Sequence, residues 1–251
     1  MHIENAYLKV AHRRQGRGDK LLVEKVRLEW LKGKLPVPQV LYYGNNAFYE
    51  YLFISEIAGV MAMDPLVSEN MSELIHLLAE GLHTVHAIDR SDCPFKRPIQ
   101  PRLEVIRTSI TAGRIDAEKF KSKHDGMSPQ LWYEQLEHLR PAFDDMVFAH
   151  GDFCLPNIVI DPEEMCIRGF IDWEQGAIAD RYEDLNMLCW SLSYNFDDSW
   201  VSILLGEYGL EYVDREKLTF YKMLEEGLVA SGYYASEDAS SEDASKEGDH
   251  S

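Results

Sequence analysis

The sequence predicts an α+β fold with a small β-rich N-terminal lobe and a larger, mostly helical second lobe. Three observations lead there. Apolar runs at residues 7–10, 40–43 and 51–56 read as strands and all fall within the first 57 residues. From about Ser72 onward apolar residues recur at helical spacing instead. Between Phe148 and Asp172 a polar loop (150–157) leads into two short apolar runs, 158–160 and 167–171, separated by Asp161-Pro162, which is the pattern of a loop followed by a hairpin. The expected division is a lobe at 1–57, a helical lobe at 58–230, and an acidic tail at 231–251.

Taken in order, residues 7–10 alternate as a strand and carry Lys9 among apolar neighbours. A helix is expected over 19–32, with Asp19 as N-cap, Leu22, Val23, Val26, Trp30 and Leu31 as its apolar face, and Gly33 closing it. Pro36-Val37-Pro38 holds the chain extended, and two strands follow around a Gly44-Asn45-Asn46 turn. In the helix over 72–88, Leu74, Ile75, Leu78, Ala79, Leu82 and Val85 form a core face, and His83 and His86 read as ordinary helix histidines. Residues 101–138 hold two weaker helical patterns joined by a polar linker at 119–128. Asp184 is expected to cap a helix whose Leu185, Leu188, Cys189 and Leu192 face the core. The repeated S-E-D-A-S tract after Ser231 has almost no apolar residues and is expected to be disordered.

At 251 residues and 45% hydrophobic content the chain can bury a substantial core. A formal charge of -18 argues against a nucleic-acid partner and favours a cationic one. There is no apolar run of membrane-spanning length and no basic-then-apolar leader, so no membrane partner and a cytoplasmic location are expected. Cys93, Cys154, Cys166 and Cys189 lack paired spacing and read as small buried residues, with Cys154 the exception to watch because it lies in the polar loop.

That loop carries the chemistry. Asp152 precedes Asn157 by five positions, the spacing at which a kinase catalytic loop sets an acceptor-activating Asp and a magnesium-holding Asn. An antiparallel hairpin sets the start of its first strand, at Asn157, beside the end of its second, at Asp172. Two oxygen ligands for a hard cation then meet at one open end. Upstream, Glu24 follows Lys9 by fifteen residues, with strand and helix in the order that lets a glutamate orient a phosphate-binding lysine. The bland alternative for each residue is a polar turn, a strand-end cap or a surface charge.

The segments H-G-D-F-C-L-P-N, G-F-I-D-W and A-D-R-Y-E-D-L resemble the aminoglycoside phosphotransferase family, especially its 3'-phosphotransferase branch, a relative of the protein kinases. The resemblance runs from Tyr7 to about Leu228 and implies a protein-kinase-like two-lobed fold with ATP and Mg2+ as cofactors. It implies that Asp152 is catalytic, that Asn157 and Asp172 hold the metal, and that Lys9 and Glu24 grip the phosphates. Tyr7 would stack on adenine, and the backbone of Ser55 and Ile57 would pair with its edge; His150 and Asp184 would support the catalytic loop. Glu118, Glu225 and Glu226 are the acids left for a cationic acceptor.

The sequence also departs from the family. The acidic acceptor linker is rich in lysine here, Tyr194 and Asn195 stand at acidic positions, and Trp173-Glu174-Gln175 replaces the family's arginine-bearing triplet, with Glu174 open to either a site role or solvent. The glycine-rich loop that precedes the lysine strand in kinase-like lobes is not in the sequence, and Arg14 to Gly18 reads as a strand-to-helix turn instead. The implied activity is O-phosphorylation of an aminoglycoside, as in antibiotic resistance. The alternatives are a kinase of another small alcohol (macrolide, choline or sugar) or a silent remnant that binds nucleotide or a partner.

Overall fold

In a computed structural model the described residues are 5–13, 19–210 and 212–234. Strands β1 (Ala6–His12), β2 (Val40–Asn45) and β3 (Tyr49–Ser55) form an antiparallel sheet in the order β1-β3-β2. Register places Tyr7 opposite Ile54 and Lys9 opposite Leu52, so the period of two puts Tyr7 and Lys9 on the face that buries Leu52 and Ile54. The β2–β3 turn lies slightly later than expected. Strand β2 continues through Gly44 and Asn45, and the Asn46 side chain accepts from the N–H groups of Phe48 and Tyr49, both at 2.8 Å.

Helix α1 (Lys20–Leu31) corrects the expected apolar face. Leu21, Glu24, Leu28 and Leu31 are buried, whereas Leu22, Val23 and Val26 are 39%, 37% and 40% exposed. The two faces are about equally apolar, so what settles the rotation is Glu24, which must point inward to reach Lys9. Asp19 stands at the N-cap position but its side chain does not cap; it accepts from Arg13 Nε at 2.9 Å. The first turn is held from the sheet instead, where Glu50 Oε2 accepts from the Leu22 N–H at 3.1 Å.

Beyond the first sheet, β4 (Val60–Met61) pairs with β6 (Ile158–Asp161), which pairs with β7 (Cys166–Phe170), while β5 (Met146–Ala149) pairs with β8 (Ala177–Asp180). The helices are α2 (Pro65–Ser68), α3 (Met71–His86), α4 (Ile99–Thr111), α5 (Ala117–Lys123), α6 (Pro129–His138), α7 (Tyr182–Asn195), α8 (Ser199–Glu207) and α9 (Arg215–Ala230). Helix α3 buries the six apolar residues its periodicity singles out.

Two compact units emerge: Met1–Arg97 with Ala142–Leu218, and Pro98–Pro141 with Thr219–Ser251. The boundary expected at residue 57 falls inside the first unit, because β4, just past that point, is a partner of β6. In the second unit the expected linker at 119–128 is partly helical. Asp116 caps α5 by accepting from the N–H groups of Glu118 and Lys119, and Phe120 packs edge-on against Trp132 with ring centroids 5.3 Å apart.

All four cysteines are free thiols; Cys93 and Cys154 are buried, but Cys166 and Cys189 only partly so. The first residues of the expected tail are ordered, since the N–H groups of Ser231 and Tyr233 donate to Gly227 and Leu228 at the end of α9. Residues 235–251 of that tail, and the turn at 14–18, lie outside the described residues. Among the described residues no helix is long and apolar enough to cross a membrane.

Candidate active site

Strand β5 ends at Ala149 and releases the chain into a tightly held loop. Gly151 has φ +80°, and a Cβ there would meet Arg97 and approach Gln175 Cβ to 2.9 Å, so this position takes glycine on both conformational and steric grounds. Arg97 Nη1 donates to the Gly151 carbonyl at 3.0 Å. The His150 and Gly151 N–H groups both donate to Asp184, each at 2.7 Å. Asp184 lies in the first turn of α7 and is not its cap, contrary to expectation; its carboxylate is spent on the loop, and Asp180 Oδ1 accepts from the Tyr182 N–H at 3.0 Å. Burial opposes the charge of Asp184, but His86, the neighbouring His150 and the donated hydrogen bonds outweigh it and hold the carboxyl below the ordinary aspartate range.

His150, fully buried, joins the loop to the hairpin. Its Nε2 lies 3.0 Å from the Ile171 carbonyl, which can only accept, so that nitrogen carries the proton and Nδ1 accepts from the Asp152 N–H at 3.3 Å. Asn157 closes the loop by donating from Nδ2 to the Asp152 carbonyl at 2.9 Å and to Asp152 Oδ2 at 3.0 Å. The hairpin meets it as its antiparallel register requires, with Ile158 opposite Phe170 and the Ile171 N–H donating to the Asn157 carbonyl at 3.0 Å.

Asp172 follows with φ +64°, a left-handed conformation that Asp tolerates better than most residues. Its Oδ1 lies 3.3 Å from Lys9 Nζ. Lys9 also donates to both oxygens of Glu24, at 2.6 and 2.8 Å. Burial works against the ammonium charge, but Glu24 and Asp172 outweigh it and keep Lys9 above the ordinary lysine range. Glu174 is not free in solvent; it pairs with Lys20 at 3.0 Å.

Lys9, Glu24, Asp152, Asn157, Asp172, His150 and Asp184 therefore belong to one connected set within the first unit. Tyr7 lies two residues from Lys9 on the same sheet face, exposed, with its hydroxyl donating to Glu56 Oε1 at 3.2 Å. Ser55 ends β3, its N–H donating to the Gln39 carbonyl at 2.9 Å, and Ile57 follows in the segment leading to β4. Glu118, Glu225 and Glu226 fall in the second unit. There Glu118 pairs with Lys121 at 2.9 Å, and Glu225 accepts from the Tyr234 hydroxyl at 2.9 Å.

Four contacts escaped the sequence reading. Arg97 holds the Gly151 carbonyl, the Ser191 hydroxyl accepts from the Leu155 N–H at 3.1 Å, Lys20 holds Glu174, and His86 Nε2 lies 3.1 Å from Asp184. Only His86 had a signal: a polar residue close to the core-facing stripe of α3. Cys154 is no nucleophile, because burial and the charge of Asp152 push its thiol up to about 12.

Among the described residues no group of three His, Cys, Asp or Glu side chains could hold a metal by itself. The oxygens of Asn157 and Asp172 suit a hard dication of the magnesium type, which completes its shell with phosphate and water and needs few protein ligands.

The model of the phosphotransferase enzyme family matches residues 4–221. An aminoglycoside 3'-phosphotransferase of Niallia circulans is 34% identical over 200 residues, spanning 79% of this chain and 75% of its own length. Among solved structures, an aminoglycoside-3'-phosphotransferase of type VIII matches with a TM-score of 0.75 at 30% identity, covering 88% of this chain and 84% of its own. A second, aminoglycoside phosphotransferase APH(3'')-Id from Streptomyces rimosus in complex with ADP and streptomycin, matches with a TM-score of 0.73 at 25% identity, covering 88% and 86%. The small antiparallel sheet lobe and helical lobe expected from the sequence are those of these kinase-like structures.

Proposed function

Since the chain belongs to the phosphotransferase enzyme family, we propose that it transfers the γ-phosphoryl group of ATP to a hydroxyl of an aminoglycoside, as its relatives' names indicate for them. The observation that carries this reading is Lys9, held at once by the buried Glu24 and by Asp172. A lysine fixed in this way has its charge in place without first having to be ordered. Its three N–H groups are taken up by Glu24 and Asp172, so an anion would replace the longer Asp172 contact, and the phosphates of a nucleotide are the anions that fit.

In this reading Asp152 orients the acceptor hydroxyl and takes its proton as the O–P bond forms. Asn157 supports that carboxylate through Nδ2, and its other amide atom, the carbonyl oxygen, would hold the cation together with Asp172. Magnesium, when bound with the nucleotide, neutralises charge on the β- and γ-phosphates. Lys9 holds the α- and β-phosphates, Tyr7 stacks on adenine, and the Ser55 carbonyl and Ile57 N–H read its edge. His150 and Asp184 fix the loop so that Asp152 does not have to be ordered in each turnover. Glu118, Glu225 and Glu226 are the carboxylates assigned to the acceptor's ammonium groups. The same reading sets the protein in the cytoplasm, where ATP is supplied.

The test is ADP release from ATP and magnesium over a panel of aminoglycosides, with mass spectrometry for a gain of one phosphate on the acceptor. Turnover with at least one member is expected. Turnover only with a macrolide, choline or a simple sugar would overturn the acceptor and leave the kinase, whereas none with any alcohol would overturn both.

A further inference from the structure

Asp184 takes a third hydrogen bond besides the two from the catalytic loop, and its source leads away from the site. His86 Nε2, at the end of α3, lies 3.1 Å from Asp184 Oδ2, both side chains being almost wholly buried. The other ring nitrogen, Nδ1, lies 2.8 Å from the Tyr208 hydroxyl. Tyr208 in turn receives a hydrogen bond from Arg181 Nη1 at 3.0 Å, and Arg181 is gripped by Asp145, with Nη2 3.0 Å from Oδ1 and Nε 2.7 Å from Oδ2. His83 stacks on the Tyr208 ring at 4.3 Å with the planes 9° apart.

Donors and acceptors along this line match in one direction. The Asp184 carboxylate can only accept, so His86 Nε2 carries the imidazole proton and the neutral ring offers Nδ1 as an acceptor. A guanidinium has no lone pair, so Tyr208 accepts from Arg181 and donates its own proton to Nδ1. Asp184 then spends its charge on the His150 and Gly151 N–H groups and on His86. His150 repeats the pattern on the far side, with Nε2–H to Ile171 and Nδ1 to the Asp152 N–H. The two histidines share one tautomer, and both are tied to the same carboxylate, His86 through its ring and His150 through its N–H.

We propose that His86 is a positioning residue for the catalytic loop, the last link of a one-way hydrogen-bond chain that starts at Arg181 and ends on the carboxylate holding His150 and Gly151. It touches neither nucleotide nor acceptor. Removing it leaves Asp184 one donor short in a site closed to water, so the loop loses register while the Lys9–Glu24 grip, which shares no partner with the chain, is kept.

This inference uses the proposed phosphoryl transfer for its kinetic arm only. His86→Leu is expected to lower kcat about ten-fold or more with KM for ATP changed by less than about three-fold, and His86→Gln, whose amide nitrogen can replace Nε2–H, to recover most of the loss. Should the leucine variant fail to fold, Tyr208→Phe tests the same chain one link further out, with a smaller kcat loss of about three-fold expected. An unchanged kcat, a KM-only effect, or an equal loss in the glutamine and leucine variants would overturn the proposal. The second arm does not depend on turnover: nitrogen-15 shifts of the full chain at neutral pH are expected to show His86 protonated at Nε2 with a bare Nδ1. Protonation at Nδ1, alone or with Nε2, would overturn the chain. A wild-type protein with no activity toward any acceptor would remove the proposed function, and the nitrogen shifts would still decide this inference.

Discussion

The Lys9 ammonium donates to both oxygens of the buried Glu24 carboxylate, at 2.6 and 2.8 Å, and reaches Asp172 at 3.3 Å with the same nitrogen. One group thus ties a strand, a helix and the end of a hairpin. Glu24→Gln keeps the shape and removes the charge. It is expected to raise KM for ATP and to cut kcat/KM by about 10- to 100-fold, in steady-state kinetics with acceptor saturating. An unchanged KM would mean that Lys9 holds no phosphate.

Asp152→Asn removes a proton acceptor while keeping an amide that can still meet Asn157. A fall in kcat of about 10²- to 10⁴-fold is expected, with an unchanged circular dichroism spectrum and thermal midpoint. A variant of near wild-type kcat would relieve Asp152 of its assigned role.

At Asp172 the backbone decides which variant is informative. With φ +64°, alanine adds strain to the loss of the carboxylate, whereas asparagine accepts the left-handed region. Asp172→Asn should therefore fold like the wild type and require more magnesium for half-maximal rate, and Asp172→Ala should in addition unfold at lower denaturant concentration. Equal magnesium titrations for wild type and Asp172→Asn would exclude the residue as a ligand.

Gly151→Ala combines φ +80° with a contact against Arg97 and Gln175. A destabilisation of about 1–3 kcal/mol is expected in urea unfolding, with kcat falling further than stability explains because the strain lies between His150 and Asp152. Wild-type stability in this variant would show that the loop has another conformation of equal energy.

The acid limb of stability should report Asp184. Its native value is below the ordinary aspartate range, so its contribution is complete above that range and is lost as the pH falls through the lowered native value. Urea midpoints measured from pH 7 down to pH 3 are expected to fall more steeply for the wild type than for Asp184→Asn at the acid end. Parallel curves would mean that the carboxyl titrates alike in folded and unfolded chains.

What was legible in the sequence were the features that rest on spacing. Asp152 and Asn157, the hairpin that returns to Asp172, and the six buried residues of α3 follow from strand period two, helix period 3.6 and short-range loop chemistry, whereas Lys9 with Glu24 was readable from the kinase-like order and spacing of a strand lysine and a helix glutamate. The rotation of α1 did not follow, because Leu22, Val23 and Val26 look as apolar as Leu21, Leu28 and Leu31, and one inward glutamate outvotes them. Helix α5 was hidden by its lysines, since only Phe120 marks its buried side. The part played by His86 was out of reach for a different reason. Its partners Asp184 and Tyr208 lie 98 and 122 residues away, and no local pattern encodes a hydrogen bond of that separation.

The Glu50 carboxylate that receives the Leu22 N–H comes from a residue 28 positions downstream. A twelve-residue helix with its opening donor met only from β3 has little reason to persist alone in water. During folding it would consolidate after the β2–β3 hairpin has closed, and an excised peptide of residues 19–32 should give the spectrum of a coil. The glutamate that grips Lys9 is thus delivered late, by a neighbour's arrival and not by its own segment's inclination.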